Sequence, residues 1–236
     1  YLVLSVVYLL LGTAIAALTR DPPQKRGRLA AIEKGHAPAS SWSLGAGRTT
    51  VAWFSIAVIF CCSSMSVVIV HIVPALSDNG FAPEIAASVL TTIMLAGAIG
   101  RLCAGKLCDM IGPLQTYAAM SLGQTLLVFW FLHMESLPGV YALAAVFGLF
   151  FSGVMASMIV SVNMMVPEEV AARCWSVVSL FAWIGMGLGS YMGGALFDLS
   201  GDYTWSFAFA AIMGSTNLTV MLVYYLNRHR RRPAMA

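Results

Sequence analysis

The sequence predicts an all-α membrane protein, and three observations lead there. Of 236 residues, 59% are hydrophobic and 10% charged, against about 45–50% and about 25% in an average soluble domain. The apolar residues gather in seven stretches, each near the roughly 20 residues that cross a bilayer as a helix. The basic residues avoid those stretches: twelve of the 13 Lys and Arg lie in connecting loops or tails. That confinement marks membrane topology and not a nucleic-acid surface, although the formal net charge is +3.

The first stretch, 1–18, opens at Tyr1 already inside an apolar run, with no Met and no signal-peptide layout. The chain therefore reads as a piece of a longer protein. A polar segment, 19–49, follows, with Arg20, Lys25, Arg26, Arg28, Lys34 and Arg48 among Pro, Ser and Gly, the composition of a flexible linker. The next span runs over 50–73 and is expected to stop at Pro74. The third is 84–105, the fourth 114–132, the fifth 140–166 before Pro167, the sixth 174–197 and the seventh 205–226. This predicts a six-span bundle over 50–227 and a basic tail over 228–236. If the linker is cytoplasmic, alternation puts Lys106, Arg173, Arg228, Arg230, Arg231 and Arg232 on the same side. The opposite loops carry Asp78, Glu135, Asp198 and Asp202 and no Lys or Arg. The positive-inside rule thus places linker and C-terminus in the cytoplasm of an integral membrane protein, expected in the plasma membrane. Trp130, Tyr141 and Trp205 fall near outer span ends, and Trp53, Trp175, Tyr224 and Tyr225 near inner ends, as an aromatic belt requires.

An internal repeat underlies the bundle. Gly105, Asp109 and Gly112 fit G-x-x-x-D-x-x-G, and so do Gly194, Asp198 and Gly201. Each copy sits at the junction of the second and third spans of a three-span set. Three is odd, so the copies end on opposite faces of the membrane, the mark of an inverted 3+3 repeat common in secondary transporters.

The thirteenth cation is Arg101, inside the third span. A charge in an apolar helix is expensive unless a cavity, partner or bound anion satisfies it, which makes the residue a functional candidate. Gly97 and Gly105 share its helical face, and small residues there let a neighbouring helix approach or leave a cavity. A guanidinium fits a carboxylate, so Arg101 is a candidate anchor for an organic acid. The competing reading has it snorkel to headgroups or pair with loop acids. His71 is a candidate to bind substrate or take up a proton, or else a histidine bonded to a backbone carbonyl. Ser157 and Ser161 share a face, either lining a cavity or bonding helix to helix. Gly185, Gly189 and Gly193 form a close-packing face. No metal-ligand spacing, phosphate loop or nucleophile elbow occurs in the sequence, so no cofactor and no enzyme activity are expected.

At Gly100-Arg101-Leu102-Cys103-Ala104-Gly105-Lys106-Leu107-Cys108-Asp109-Met110-Ile111-Gly112 the chain resembles the junction of the eighth and ninth helices of the major facilitator superfamily, in the form found in the monocarboxylate-porter and oxalate/formate antiporter branch. His71-Ile72-Val73-Pro74 with Asp78 and Gly80, Val166-Pro167-Glu168-Glu169 before Arg173, and Phe197-Asp198-Leu199-Ser200-Gly201-Asp202-Tyr203 add to the likeness. The resemblance implies the six-helix C-terminal half of such a bundle, preceded by the last helix of the N-terminal half and the central loop. It implies transport of a small organic anion, with a coupled proton or counter-anion and a missing N-terminal half as partners. It also implies that Gly105, Asp109 and Gly112 help close the cytoplasmic side in one access state, where a plain turn is the simpler alternative. A different class remains open: a non-transporting interaction or regulatory module that pairs with another membrane chain.

Overall fold

The computed structural model describes Thr13 and residues 47–230, the last two as backbone only. Apart from Thr13, the predicted span 1–18 lies outside the described residues, as do the linker up to position 46 and Arg231 and Arg232 of the tail. The chain falls into two units, Tyr1–Ser43 and Leu44–Ala236, and the helices below all belong to the second.

Six α-helices follow one another: α1 Arg48–Asp78, α2 Pro83–Ile111, α3 Pro113–Val128, α4 Leu137–Met165, α5 Glu168–Ser200 and α6 Thr204–Arg230, with no strand among the described residues. A 3-10 turn, Phe129–His133, continues α3. Proline opens the first turn of α2, α3 and α4, where its missing N–H costs nothing. Glu168 and Glu169 occupy the first turn of α5, where the helix dipole favours acids. Glycine closes the turns: Gly80, Gly112 and Gly201 all have positive φ. Gly112, at φ 93° and ψ 150°, separates α2 from α3 as a single residue, in a backbone region essentially open to glycine alone.

Several predicted boundaries are corrected. Pro74 does not stop α1, which continues to Asp78. The proline lies one turn from the helix end, so it removes a single ladder bond, and buried Ala75 and Leu76 hold the last turn. Helix α2 passes Gly105 and ends at Ile111, and α5 begins at Glu168, well before Cys174. Hydropathy marks where apolar surroundings end, and a helix can continue beyond that point. The fourth predicted span is α-helical for 16 residues and 3-10 for the next five. At about 1.5 and 2.0 Å per residue these add to roughly 34 Å, enough for a hydrocarbon core of about 30 Å. The other five helices are each long and apolar enough to cross a membrane. The protein is an all-α integral membrane bundle.

The repeat seen in the sequence is also a packing symmetry. α1–α3 and α4–α6 form two three-helix sets, and the most extensive helix pairs are α2 with α4 and α1 with α5. Each joins the second helix of one set to the first of the other. Both crossings run backbone to backbone. A Cβ on Gly100 would lie 2.7 Å from the Cα of Leu149, and a Cβ on Gly189 would lie 2.7 Å from the Cα of Ser63. Around the crossings, Phe54, Tyr117, Phe131, Phe147 and Phe207 fill the core. A buried polar tie joins α3 to α6: Tyr117 Oη donates to Asn217 Oδ1 at 2.8 Å, and Asn217 Nδ2 donates to Ser121 Oγ at 2.6 Å. By contrast α2 and α5 leave apolar faces open, with Leu95, Ile99 and Leu102 on one and Leu180, Trp183 and Tyr191 on the other.

Candidate functional site

Arg101 stands one residue after Gly100, where α2 crosses α4. The missing side chains at Gly97 and Gly100 bring α4 within reach, and Arg101 Nε donates to Ser152 Oγ at 2.7 Å. The guanidinium is thereby fixed through its base, while the side chain as a whole is exposed. No Asp or Glu pairs with it among the described residues. Exposed Lys106 and Asp109 mark the polar border of α2, which places Arg101 five residues, roughly 7.5 Å, inside Lys106. Arg101 therefore stands exposed at the edge of the apolar region, tied through Nε to a serine hydroxyl and to no acid among the described residues.

His71 lies inside the α1–α5 crossing, 8% exposed. Its Nε2 is 3.0 Å from the carbonyl oxygen of Ser190; a carbonyl can only accept, so Nε2 carries the hydrogen. Its ring packs against Gly193, where a Cβ would come within 2.6 Å of Nε2, and lies 5.6 Å from the Tyr203 ring. Ser157 is fully buried, its hydroxyl bonded to the Gly153 carbonyl at 2.8 Å and the Val154 carbonyl at 3.1 Å of its own helix. Ser161 is equally buried, so this stripe of α4 faces the interior of the bundle. The structure thus separates the three predicted substrate residues, with Arg101 open and His71 and Ser157 packed inside.

The repeat relates all three. Gly100 and Leu149 correspond to Gly189 and Ser63. In that register Arg101 falls on Ser190, Ser152 on Ser66, and Ser157 on His71. The contact between Arg101 and Ser152 accordingly has a counterpart, Ser190 Oγ with Ser66 Oγ at 2.5 Å. One crossing carries Arg101 and Ser152, the other Ser190, Ser66 and His71. Ser152, Ser66 and Ser190 were not singled out from the sequence. Aligning the two G-x-x-x-D-x-x-G copies would have paired Arg101 with Ser190, but finding Ser152 and Ser66 also requires knowing how the first helices of the two sets align.

Of the predicted gating residues, Gly105 and Asp109 lie in the last two turns of α2 and Gly112 alone makes the turn into α3. Asp109 is exposed, a Cβ on Gly105 would meet open space, and Gly112 supplies the positive φ. Their counterparts Gly194, Asp198 and Gly201 lie at the far end of the repeat. Tyr203 sits just beyond, and burial first, then the charges of Asp78 and Asp198, push its phenol pKa up.

Comparison with known proteins is consistent with this architecture. A search of curated proteins gave no match. A family model, that of the Major Facilitator Superfamily, matches residues 52–235. The matched region reaches all six helices, and the chain belongs to the Major Facilitator Superfamily, a family of secondary transporters.

Proposed function

We propose that the protein carries a small, monocarboxylate-like organic anion by alternating access, with Arg101 as its electrostatic anchor. The observation that carries this reading is the open guanidinium at the α2–α4 crossing, held through Nε by Ser152 and free of any acid among the described residues. A guanidinium stays charged at physiological pH, and its planar fork accepts a carboxylate through two parallel hydrogen bonds. The open apolar faces of α2 and α5 support the same reading. The solute would pass between them and a further set of helices, the N-terminal half expected from the sequence. Rocking of the two sets would expose it to each side in turn.

In this proposal Gly105, Asp109 and Gly112 help close the basic, cytoplasmic end. His71 and Ser157, both buried, meet solute only if the packing around them opens during the cycle. Coupling to a proton would use His71, whose Nδ1 is not taken by the bond to Ser190; coupling to a counter-anion would use Arg101 alone.

The test is uptake of labelled lactate, pyruvate, formate and oxalate into vesicles containing the protein, beside Arg101→Ala and Arg101→Lys. Arg101→Ala should cut apparent affinity about 10- to 100-fold, the loss of a charge-assisted bond worth roughly 1.5–3 kcal/mol. Arg101→Lys should restore part of it, since the charge returns without the fork. Transport at normal affinity in Arg101→Ala overturns the assignment. Absence of flux for any solute favours the interaction module instead.

A further inference from the structure

At the basic end of the bundle, away from Arg101, the ends of α1, α4 and α6 border an open cavity of about 390 Å³, lined by Thr49, Thr50 and Trp53 of α1, Met165 of α4 and Tyr224, Asn227 and Arg228 of α6. Its size falls within the roughly 300–1,000 Å³ of ligand pockets. We propose that this cavity binds the phosphate headgroup of an anionic phospholipid.

Its polar groups suit that ligand. No Asp or Glu lines the cavity among the described residues, and Arg228 brings a fixed positive charge. Arg228 Nη1 lies 3.5 Å from Tyr224 Oη, and Thr50 Oγ1 is 3.3 Å from the same oxygen. Tyr224 thus braces both the guanidinium and a threonine hydroxyl on the cavity wall. Helix α1 starts beside the cavity with no acid in its first turn, and the positive end of its dipole favours an anion there. Trp53, its ring centroid 6.2 Å from that of Tyr224, supplies the amphipathic ring typical of the headgroup level.

The surroundings favour a lipid over a dissolved anion. One turn further in, on the faces that carry Trp53 and Asn227, stand Ile56 and Val223, 47% and 39% exposed. They provide an apolar track for an acyl chain below the headgroup. Basic pockets of this kind between transmembrane helices recognise lipid phosphates.

The full chain, purified in detergent and presented with equal phosphatidylglycerol and phosphatidylcholine, would be followed by native mass spectrometry. Phosphatidylglycerol should be retained in preference. Arg228→Gln should reduce its retention about fivefold, as expected for one basic group at a membrane surface. Thr49→Glu, at an exposed position that leaves Tyr224 and its partners intact, should reduce it similarly. Lys106→Gln, a charge loss at the same end of the bundle but outside the cavity, should leave it unchanged. Undiminished retention in both cavity variants, or an equal loss in Lys106→Gln, overturns the proposal. Displacement of the lipid by inorganic phosphate overturns the lipid assignment in favour of a free-anion site. Neither result bears on anion transport through Arg101.

Discussion

Replacing Gly189 by alanine tests whether the α1–α5 crossing is a true backbone contact. The new Cβ would stand 2.7 Å from the Cα and 2.8 Å from the carbonyl carbon of Ser63, where ordinary contact begins at 3.4 Å. The obstacle is backbone, so no rotamer change relieves it, and α5 must lift from α1 by about 0.7 Å or more. Overpacking of this kind costs about 1–3 kcal/mol. Against it stands the better helix propensity of alanine, about 0.8–1.0 kcal/mol. The net expectation is a loss of up to about 2 kcal/mol. Gly187→Ala is the internal control, since a Cβ there meets nothing within 4 Å; it should gain up to about 1 kcal/mol. At roughly 2–4 °C per kcal/mol for a domain of this size, the two variants should melt several degrees apart in thermal unfolding of the detergent-solubilised protein. Gly100→Ala, facing Leu149 at the same 2.7 Å, should behave like Gly189→Ala. Equal melting of Gly187→Ala and Gly189→Ala would refute the backbone contact.

Other expectations follow from single contacts. Tyr117→Phe leaves Asn217 Oδ1 buried without its donor and should lower stability by about 1–3 kcal/mol by thermal unfolding, or nearer 0.6 kcal/mol if the unfolded chain finds partners within the membrane. Gly112→Asn should cost about 1–3 kcal/mol, because φ 93° with ψ 150° suits glycine alone. Gly201→Asn, at φ 79° and ψ 2° in the left-handed region that asparagine tolerates, should cost less in the same measurement. Ser152→Ala releases Arg101 Nε and should raise the apparent KM for the anion several-fold while Tm stays within a few degrees of wild type. Under the same assay Ser66→Ala, at the equivalent crossing, should leave KM unchanged.

The fold was legible in the sequence because the bilayer imposes it: apolar length and the placement of charge leave few alternatives. The repeat was legible too, from three residues, Gly, Asp and Gly, that recur at the same spacing in two places. Pro74 and Gly105 misled as boundaries, since hydropathy reports the medium around a helix and says nothing of its hydrogen bonds. The 3-10 turn after Val128 carries no local signal, for Phe129–His133 is as apolar as the helix before it. Arg101 was found because a charge in an apolar run is conspicuous. Its partner Ser152 and the Tyr117–Asn217–Ser121 tie were not found, because a hydroxyl or amide in a transmembrane run gains meaning only from the helix facing it. His71 was read two ways, and the packing brings its ring nitrogen to a backbone carbonyl of a neighbouring helix.

At the crossing of Gly100 and Leu149 the two main chains touch with no side chain as a cushion. The contact extends along both helices: a Cβ on Gly148 would lie 3.1 Å from the carbonyl carbon of Ile93, and one on Gly153 would lie 3.3 Å from the Cβ of Ala104. Ile93, Gly100 and Ala104 thus meet α4 along about 16 Å of α2, at roughly 1.5 Å per residue. A seam of that length leaves the pair no single pivot, so α2 and α4 are expected to travel as one rigid unit that carries Arg101 and Ser152 together.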